Sequence, residues 1–374
     1  MTFCYTPWVG LSISLTGTIS SCCKLNNTKF NIHTHSITDY LNSEYLRNIK
    51  QQFIAGHKPN ACLRCWKDEE QNIKSKRIID YERYHKEYNS YDLKSNKCLN
   101  ITLSVNNTCN LKCRICNTTS STKWIKEKYF YTGIKEKKLD NFLNSNLADK
   151  IKPILEHIIH LDLIGGETLI AGMEQQLAIL NEIVRQGRAS KVNLHYTTNG
   201  TIFPNARLLK LWKKFKNVNI QLSIDGTKQQ FEYNRFPASW DECYSNIKQF
   251  QQLSKKNNNI HLSVAHSLSV FTIYYLPEFF IWCLKEELPK PWINVITNPI
   301  YYQVGVFPEH SKQIIKNKLQ LYTVEISKYI NLMFNDDVKQ HLDEFWAHTN
   351  KIDQYRSENF AETFPELCNL LKNE

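Results

Sequence analysis

The chain places three cysteines at C-x3-C-x2-C spacing in Cys109-Asn-Leu-Lys-Cys113-Arg-Ile-Cys116. Thiolates this close in sequence can fold around one metal centre from a single tight loop. On a [4Fe-4S] cluster, three thiolates leave one iron without a protein ligand, open to an exogenous chelator. Zinc is the alternative, but a structural zinc site closes on four Cys or His ligands, and the nearest further thiol is Cys98. A second constellation comes first in the chain: Cys4, twelve residues, Gly17, four residues and Cys22, then the C-x2-C pair Cys62-Leu-Arg-Cys65. Those four thiolates suffice for one further cluster or for a four-cysteine zinc site. Cys23 is the alternative to Cys22. Cys98, Cys243, Cys283 and Cys368 read as buried free thiols.

From Leu99 onward, short apolar or β-branched runs alternate with amphipathic segments. The runs are 100–105, 160–164, 191–196, 218–224, 259–268 and 292–297; helical periodicity fills 173–185, 205–215, 240–253 and 274–286. Six strands alternating with helices predict an α/β fold with a parallel sheet of βαβ units, either doubly wound or a partial (β/α) barrel. Before it, residues 9–14 and 18–22 around Thr16-Gly17 read as a hairpin, and residues 43–55 as a helix stopped by Gly56. After Pro299 the pattern predicts one long helix over 311–334 through Ile314, Leu319, Ile326, Ile330 and Met333, then helices over 338–348 and 359–371.

The second, third and fourth strands of the alternating series lead into Gly165-Gly166-Glu167-Thr168, Thr197-Thr198-Asn199-Gly200 and Ser223-Ile224-Asp225-Gly226. Alone, Asn-Gly or Asp-Gly is ordinary turn chemistry. Four such signals in order, at the end of consecutive strands where α/β proteins build their sites, carry more. In these residues the chain resembles the radical S-adenosylmethionine superfamily, whose signature is a C-x3-C-x2-C loop after the first strand of a partial (β/α)6 barrel. The resemblance implies a [4Fe-4S] cluster on Cys109, Cys113 and Cys116 with S-adenosylmethionine on its open iron. It implies Ile115, in the place of the usual aromatic residue, against the adenine. Gly165, Gly166 and Glu167 fall on the motif that receives the methionyl ammonium, with Thr168 replacing its proline. Asn199, Ser223 and Asp225 fall where ribose or carboxylate contacts are made. Arg235, the candidate catalytic residue, and Tyr233 stand close enough in sequence to serve cofactor carboxylate or substrate. His195 and His266, on strands, read as core histidines, and Trp8 as packing beneath a cluster.

The amino-terminal cysteines resemble the element that opens the superfamily's auxiliary-cluster domains, in the shortened twitch form: one auxiliary [4Fe-4S] cluster on Cys4, Cys22, Cys62 and Cys65. Here the module precedes the barrel. Together these features imply an enzyme that takes one electron from a donor such as flavodoxin or ferredoxin, cleaves S-adenosylmethionine to methionine and a 5'-deoxyadenosyl radical, and abstracts hydrogen from a substrate. A peptide or amino acid is the favoured substrate, with a nucleotide, RNA or an aminocyclitol as alternatives. The terminal Leu371-Lys-Asn-Glu374 lacks the paired glycines of the cyclase of molybdopterin synthesis.

Composition bounds the rest. The chain has 374 residues, 42% hydrophobic and 22% charged, the profile of a globular protein with a sizeable core. A domain reading follows: residues 1–70 the twitch-like module, 71–98 linker and helix, 99–300 the barrel and 301–374 a helical region. The formal charge of +11 favours anionic partners without choosing among them, and the runs 135–138 and 213–216 read as solvated surface. A non-enzymatic alternative, a zinc-stapled nucleic-acid-binding protein, rests on that charge. The first cation is Lys24, so no secretory signal is expected, and no run is apolar enough for a membrane span. A cytoplasmic, reducing setting is expected, in which the 12 cysteines serve as ligands or free thiols.

Overall fold

Strands with apolar residues at every second position dominate the centre of the chain, and each buries that face. In β5 (Asn193–Thr198) the buried residues are Leu194, Tyr196 and Thr198, and in β6 (Asn217–Ser223) they are Val218, Ile220 and Leu222. The structure is a computed structural model and describes residues 2–25, 28–70, 74–88, 97–136, 147–322, 324–327, 329–335 and 338–372. Residues 137–138 of the basic run, parts of segment 71–98, and Asn373 and Glu374 lie outside the described residues. Two units are distinguished: Met1–Thr108, Lys137–Thr197 and Pro204–Asn219 form the first, and Cys109–Glu136, Thr198–Phe203 and Ile220–Glu374 the second.

In the first unit the strand order is β2-β1-β3-β4-β5, followed by the opening residues of β6. The hairpin expected around Thr16-Gly17 is present: β1 (Gly10–Ile13) pairs antiparallel with β2 (Ile19–Ser20), Ser12 opposite Ser20. The sequence did not anticipate that β1 also pairs in parallel with β3 (Asn100–Ser104), Gly10 opposite Asn100. β3 pairs in parallel with β4 (His160–Ile164), and β4 with β5. The half-buried face of these strands carries a polar ladder. Asn217 Nδ2 donates to Asn193 Oδ1 at 2.8 Å, and Asn219 Nδ2 lies 2.8 Å from His195 Nδ1. His195 is thus a hydrogen-bonded sheet residue.

The turn after β4 is pressed against the segment after β3. Gly166 N donates to Asn106 O and Glu167 N to Thr108 O, both at 2.9 Å. A Cβ on Gly165 would lie 2.5 Å from Asn106 O, and one on Gly166 would collide with Thr108 O. Both obstacles are backbone, which cannot swing away. Gly166→Ala is therefore expected to destabilise the protein by about 1–3 kcal/mol, the usual cost of overpacking, read from urea unfolding midpoints; an unchanged midpoint would contradict the close approach.

The second unit holds the rest of β6, β7 (Ile260–Leu268) and β8 (Trp292–Val295) in that order. Ile224 N donates to Ala265 O at 2.9 Å, and β7 pairs in parallel with β8. Met173–Arg185 in the first unit has the expected helical bounds, and Trp240–Lys256 in the second starts where expected and extends three residues further. Two helix expectations fail. The predicted helix over 311–334 is three helices, Glu309–Gln320, Val324–Ser327 and Ile330–Asn335. Leu321 and Tyr322 turn out of the first through i→i−3 bonds to Lys318 and Leu319. Leu319, Ile326, Ile330 and Met333 still meet one core, whereas Ile314 is exposed. The predicted helix over 359–371 breaks at Pro365, which restricts Phe364 and opens Pro365–Lys372 at its first position. Among the described residues no helix is long and apolar enough to cross a membrane.

Candidate functional site

Cys109, Cys113 and Cys116 share one loop of the second unit, packed with Leu111, Ile115 and Ala238; Cys109 and Cys113 are buried and Cys116 is half-buried. Main-chain bonds hold the loop. Lys112 N donates to Phe236 O at 2.7 Å, and Arg114 N donates to Asn234 O at 2.9 Å. Trp124 Nε1 donates to Cys113 O at 3.1 Å. The Cys116 thiol donates to Cys113, which holds the Cys113 thiol below its ordinary value, with the Arg235 charge adding to the effect; Cys116 is correspondingly pushed up.

The residues between the cysteines carry a second layer of support that sequence reasoning missed. Arg114 lies on the Tyr233 ring, 3.5 Å from its centroid, and pairs with Asp353 and, at 2.7 Å, with Glu358. Arg356 donates through Nη2 to Lys112 O at 2.7 Å and pairs with Glu127 at 2.9 Å; Lys112 pairs with the same carboxylate at 2.6 Å. The loop is thus clamped by residues near the end of the Leu342–Arg356 helix, more than 230 positions away. Tyr233 belongs to this clamp, its hydroxyl donating to Asp353 at 2.8 Å, so the structure gives it a supporting task in place of the cofactor or substrate contact considered from sequence.

Asn199 approaches the same loop: its Nδ2 donates to Asn110 Oδ1 at 2.9 Å and lies 3.9 Å from Cys109 Sγ. Asp225, just beyond β6, has both oxygens engaged, one by Ser267 N at 2.7 Å and one by Arg235 at 2.6 Å. Burial works against the Arg235 charge, and Asp225 with the thiols of Cys113 and Cys116 outweighs it, so the guanidinium is held charged. Ser223 is half-buried at the end of β6, and Ile115 is half-buried on the loop. His266 is a buried core histidine stacked on Phe279, with Nδ1 2.9 Å from Ile224 O.

In the first unit, Glu167 is fully buried, and its Oε1 accepts from Leu169 N at 2.9 Å within its own turn. Thr168, where a proline was expected, donates to Thr197 O at 2.7 Å, and Gln176 Nε2 donates to Thr168 O at 2.6 Å. These bonds supply the local stiffness that a proline would otherwise provide.

Cys4, Cys22, Cys62 and Cys65 line one cavity of about 30 Å³ together with Lys76, Arg77 and Asp80. Cys23 is exposed and does not line it, which favours Cys22 as the second ligand. Among the described residues no three His, Cys, Asp or Glu side chains are drawn tightly around a single ion; the thiols surround a cavity instead. Trp8 packs on Phe3 and Phe53 beside Cys4. Burial pushes the Cys4 thiol up to about 11 and Cys62 up to about 12. Both remain protonated at neutral pH until iron replaces the proton, so cluster loading at pH 7.5 is expected to release a proton from each and to strengthen as pH rises. A weakly buffered indicator reads that release; a silent indicator would mean thiolates already formed.

Residues 4–66 match the SPASM family, described as an iron-sulfur cluster-binding domain. The amino-terminal segment is thus similar to that iron-sulfur domain over residues 4–66. The match selects iron and sulfur over zinc for the amino-terminal module. No curated protein matches this chain. Among solved structures it is similar to "Native anSMEcpe with bound AdoMet", at 18% identity and a TM-score of 0.43 over 60% of each chain. It is also similar to Streptococcus suis SuiB bound to S-adenosylmethionine, at 13% identity and a TM-score of 0.35 over 68% of this chain and 53% of SuiB. For SuiB bound to its precursor peptide SuiA the values are 11% and 0.38, over 84% and 70%. This chain thus spans 60% of the length of anSMEcpe.

Proposed function

We propose that this protein is a radical S-adenosylmethionine enzyme acting on a peptide or amino-acid substrate. The observation that carries this reading is the loop of Cys109, Cys113 and Cys116, three thiols in one apolar nest beside the held charge of Arg235, in a chain that also carries a SPASM domain. Cys109, Cys113 and Cys116 would hold a [4Fe-4S] cluster, which would supply one-electron reduction of bound S-adenosylmethionine and, through it, hydrogen abstraction from a substrate carbon.

This chain's own residues would orient the cofactor and keep water out. Glu167 accepts hydrogen bonds from the methionyl ammonium, and the bare backbones of Gly165 and Gly166 leave room for that turn. Asp225 acts through Arg235: with its oxygens taken by Arg235 and Ser267, it fixes the guanidinium, which would serve the methionyl carboxylate. Asn199 and Ser223 serve the ribose and carboxylate, and Ile115 the adenine. Cys4, Cys22, Cys62 and Cys65 hold the auxiliary cluster.

The test is anaerobic reconstitution followed by S-adenosylmethionine and dithionite, with 5'-deoxyadenosine and metal content measured together. Deoxyadenosine with iron supports the enzyme. Zinc without deoxyadenosine sinks it and favours the basic nucleic-acid-binding protein. Deuterium passing into deoxyadenosine from a labelled peptide, but not from labelled nucleotides or aminocyclitols, then identifies the substrate class.

A further inference from the structure

We infer that the surface formed by the Trp124–Thr132 helix, the residues that follow it and the outer face of the Leu342–Arg356 helix is the docking site of an acidic one-electron carrier protein. The inference rests on the enzyme reading above, in which each cleavage of S-adenosylmethionine consumes one external electron. At this surface no atoms move: a flavodoxin hydroquinone leaves as its semiquinone, and the cluster on Cys109, Cys113 and Cys116 takes up the electron.

Tyr129, Phe130 and Ile134 are 54%, 62% and 64% exposed, and Tyr355 is 37% exposed. Phe130 and Tyr355 touch, with ring centroids 4.7 Å apart, so exposed rings of the two helices meet, with Tyr129 and Ile134 close by in sequence. Exposed apolar clusters with a polar rim mark protein interaction sites, and aromatic residues supply their energetic centres. The rim here is cationic. Lys123, Lys126, Lys135 and Lys351 are exposed around it, and Glu127, the one acid between Lys123 and Lys135, is buried. Lys128 is neutralised by Glu136, and Asp343 and Glu344 are exposed in the first turn of the Leu342–Arg356 helix, so the positive surplus lies at the Lys123, Lys126, Lys135 and Lys351 end of the surface. A carrier with an acidic face is the complement to this field.

Position is the second argument. The two helices that make this surface also hold the cysteine loop, Trp124 bonding Cys113 O and Arg356 bonding Lys112 O. A protein seated on them rests on the supports of the loop that would bind the cluster.

The test compares two reductants on reconstituted protein. Lys123→Glu/Lys126→Glu and Phe130→Ala are measured for 5'-deoxyadenosine formation with reduced flavodoxin and with dithionite. Binding of oxidised flavodoxin is followed by calorimetry at low and high salt. The expected result is a loss of about tenfold in both flavodoxin binding and flavodoxin-driven rate at low salt, smaller for the charge-reversed variant as salt rises, with the dithionite-driven rate unchanged. Unchanged flavodoxin binding would overturn the inference, placing the donor elsewhere. Equal losses with both reductants would overturn it too, making these residues supports of the loop. A wild type that makes no deoxyadenosine with dithionite would overturn the enzyme reading itself.

Discussion

On the proposed function, Cys113→Ala is expected to abolish 5'-deoxyadenosine formation and to lower iron from about eight to about four per chain, the difference of one [4Fe-4S] cluster. Cys113 is buried, accepts a hydrogen bond from the Cys116 thiol and is influenced by the Arg235 charge, so no neighbouring side chain replaces its sulfur. Two remaining thiolates on the loop cannot hold a cluster that already leaves one iron open. The other four irons stay, because Cys4, Cys22, Cys62 and Cys65 line a cavity of their own. Cys65→Ala is the reciprocal control and removes those irons instead. Iron counts by colorimetry and deoxyadenosine by chromatography check both; a Cys113→Ala protein that still forms deoxyadenosine would reject the assignment of the loop.

Asp353→Ala is expected to cost up to about 3–5 kcal/mol of stability, because it removes one of the two carboxylates that compensate the buried Arg114 charge. Arg114 is fully buried, and Asp353 supplies one of its two carboxylate partners while also taking the Tyr233 hydroxyl and, at 2.7 Å, Phe360 N. Glu358 remains, but one carboxylate near the surface does not answer for all of these donors. Denaturant unfolding reads the loss. The double variant Arg114→Leu/Asp353→Leu is expected to lose less than the single one, since replacing both charges by apolar groups removes the stranded ion. A double variant as unstable as the single would show that packing, and not charge, dominates at this place.

Local signals made much of this legible. β4 and the Met173–Arg185 helix have the bounds that periodicity predicts, because period 2 and period 3.6 are written in the residues that must be buried. The turns after the strands were legible for the same reason, since glycines and short polar residues at strand ends have few other uses. What was not legible depends on partners far away in the chain. Nothing near Lys112 or Arg114 announces Glu127, Asp353, Arg356 and Glu358, and charged residues in a loop read as solvated until the network is seen. Nor does the stripe through Ile326 and Met333 reveal a break, because three short helices facing one core keep the same apolar spacing as one long helix.

The parallel pairing of β1 with β3 bears on how the chain is made. β1 leaves the ribosome some 90 residues before its neighbour, and parallel pairing of such separation is slow because a long loop must close first. The amino-terminal segment therefore waits with its strand edge bare while the rest is synthesised. A protein shortened to begin at Leu99 would instead expose the edge of β3, Asn100–Ser104, a ready template for pairing with another molecule. The auxiliary module is, in this sense, the selvedge of the sheet. It is a poor candidate for grafting onto another scaffold, and dissecting the two cluster sites is best done by single cysteine replacements in the whole chain.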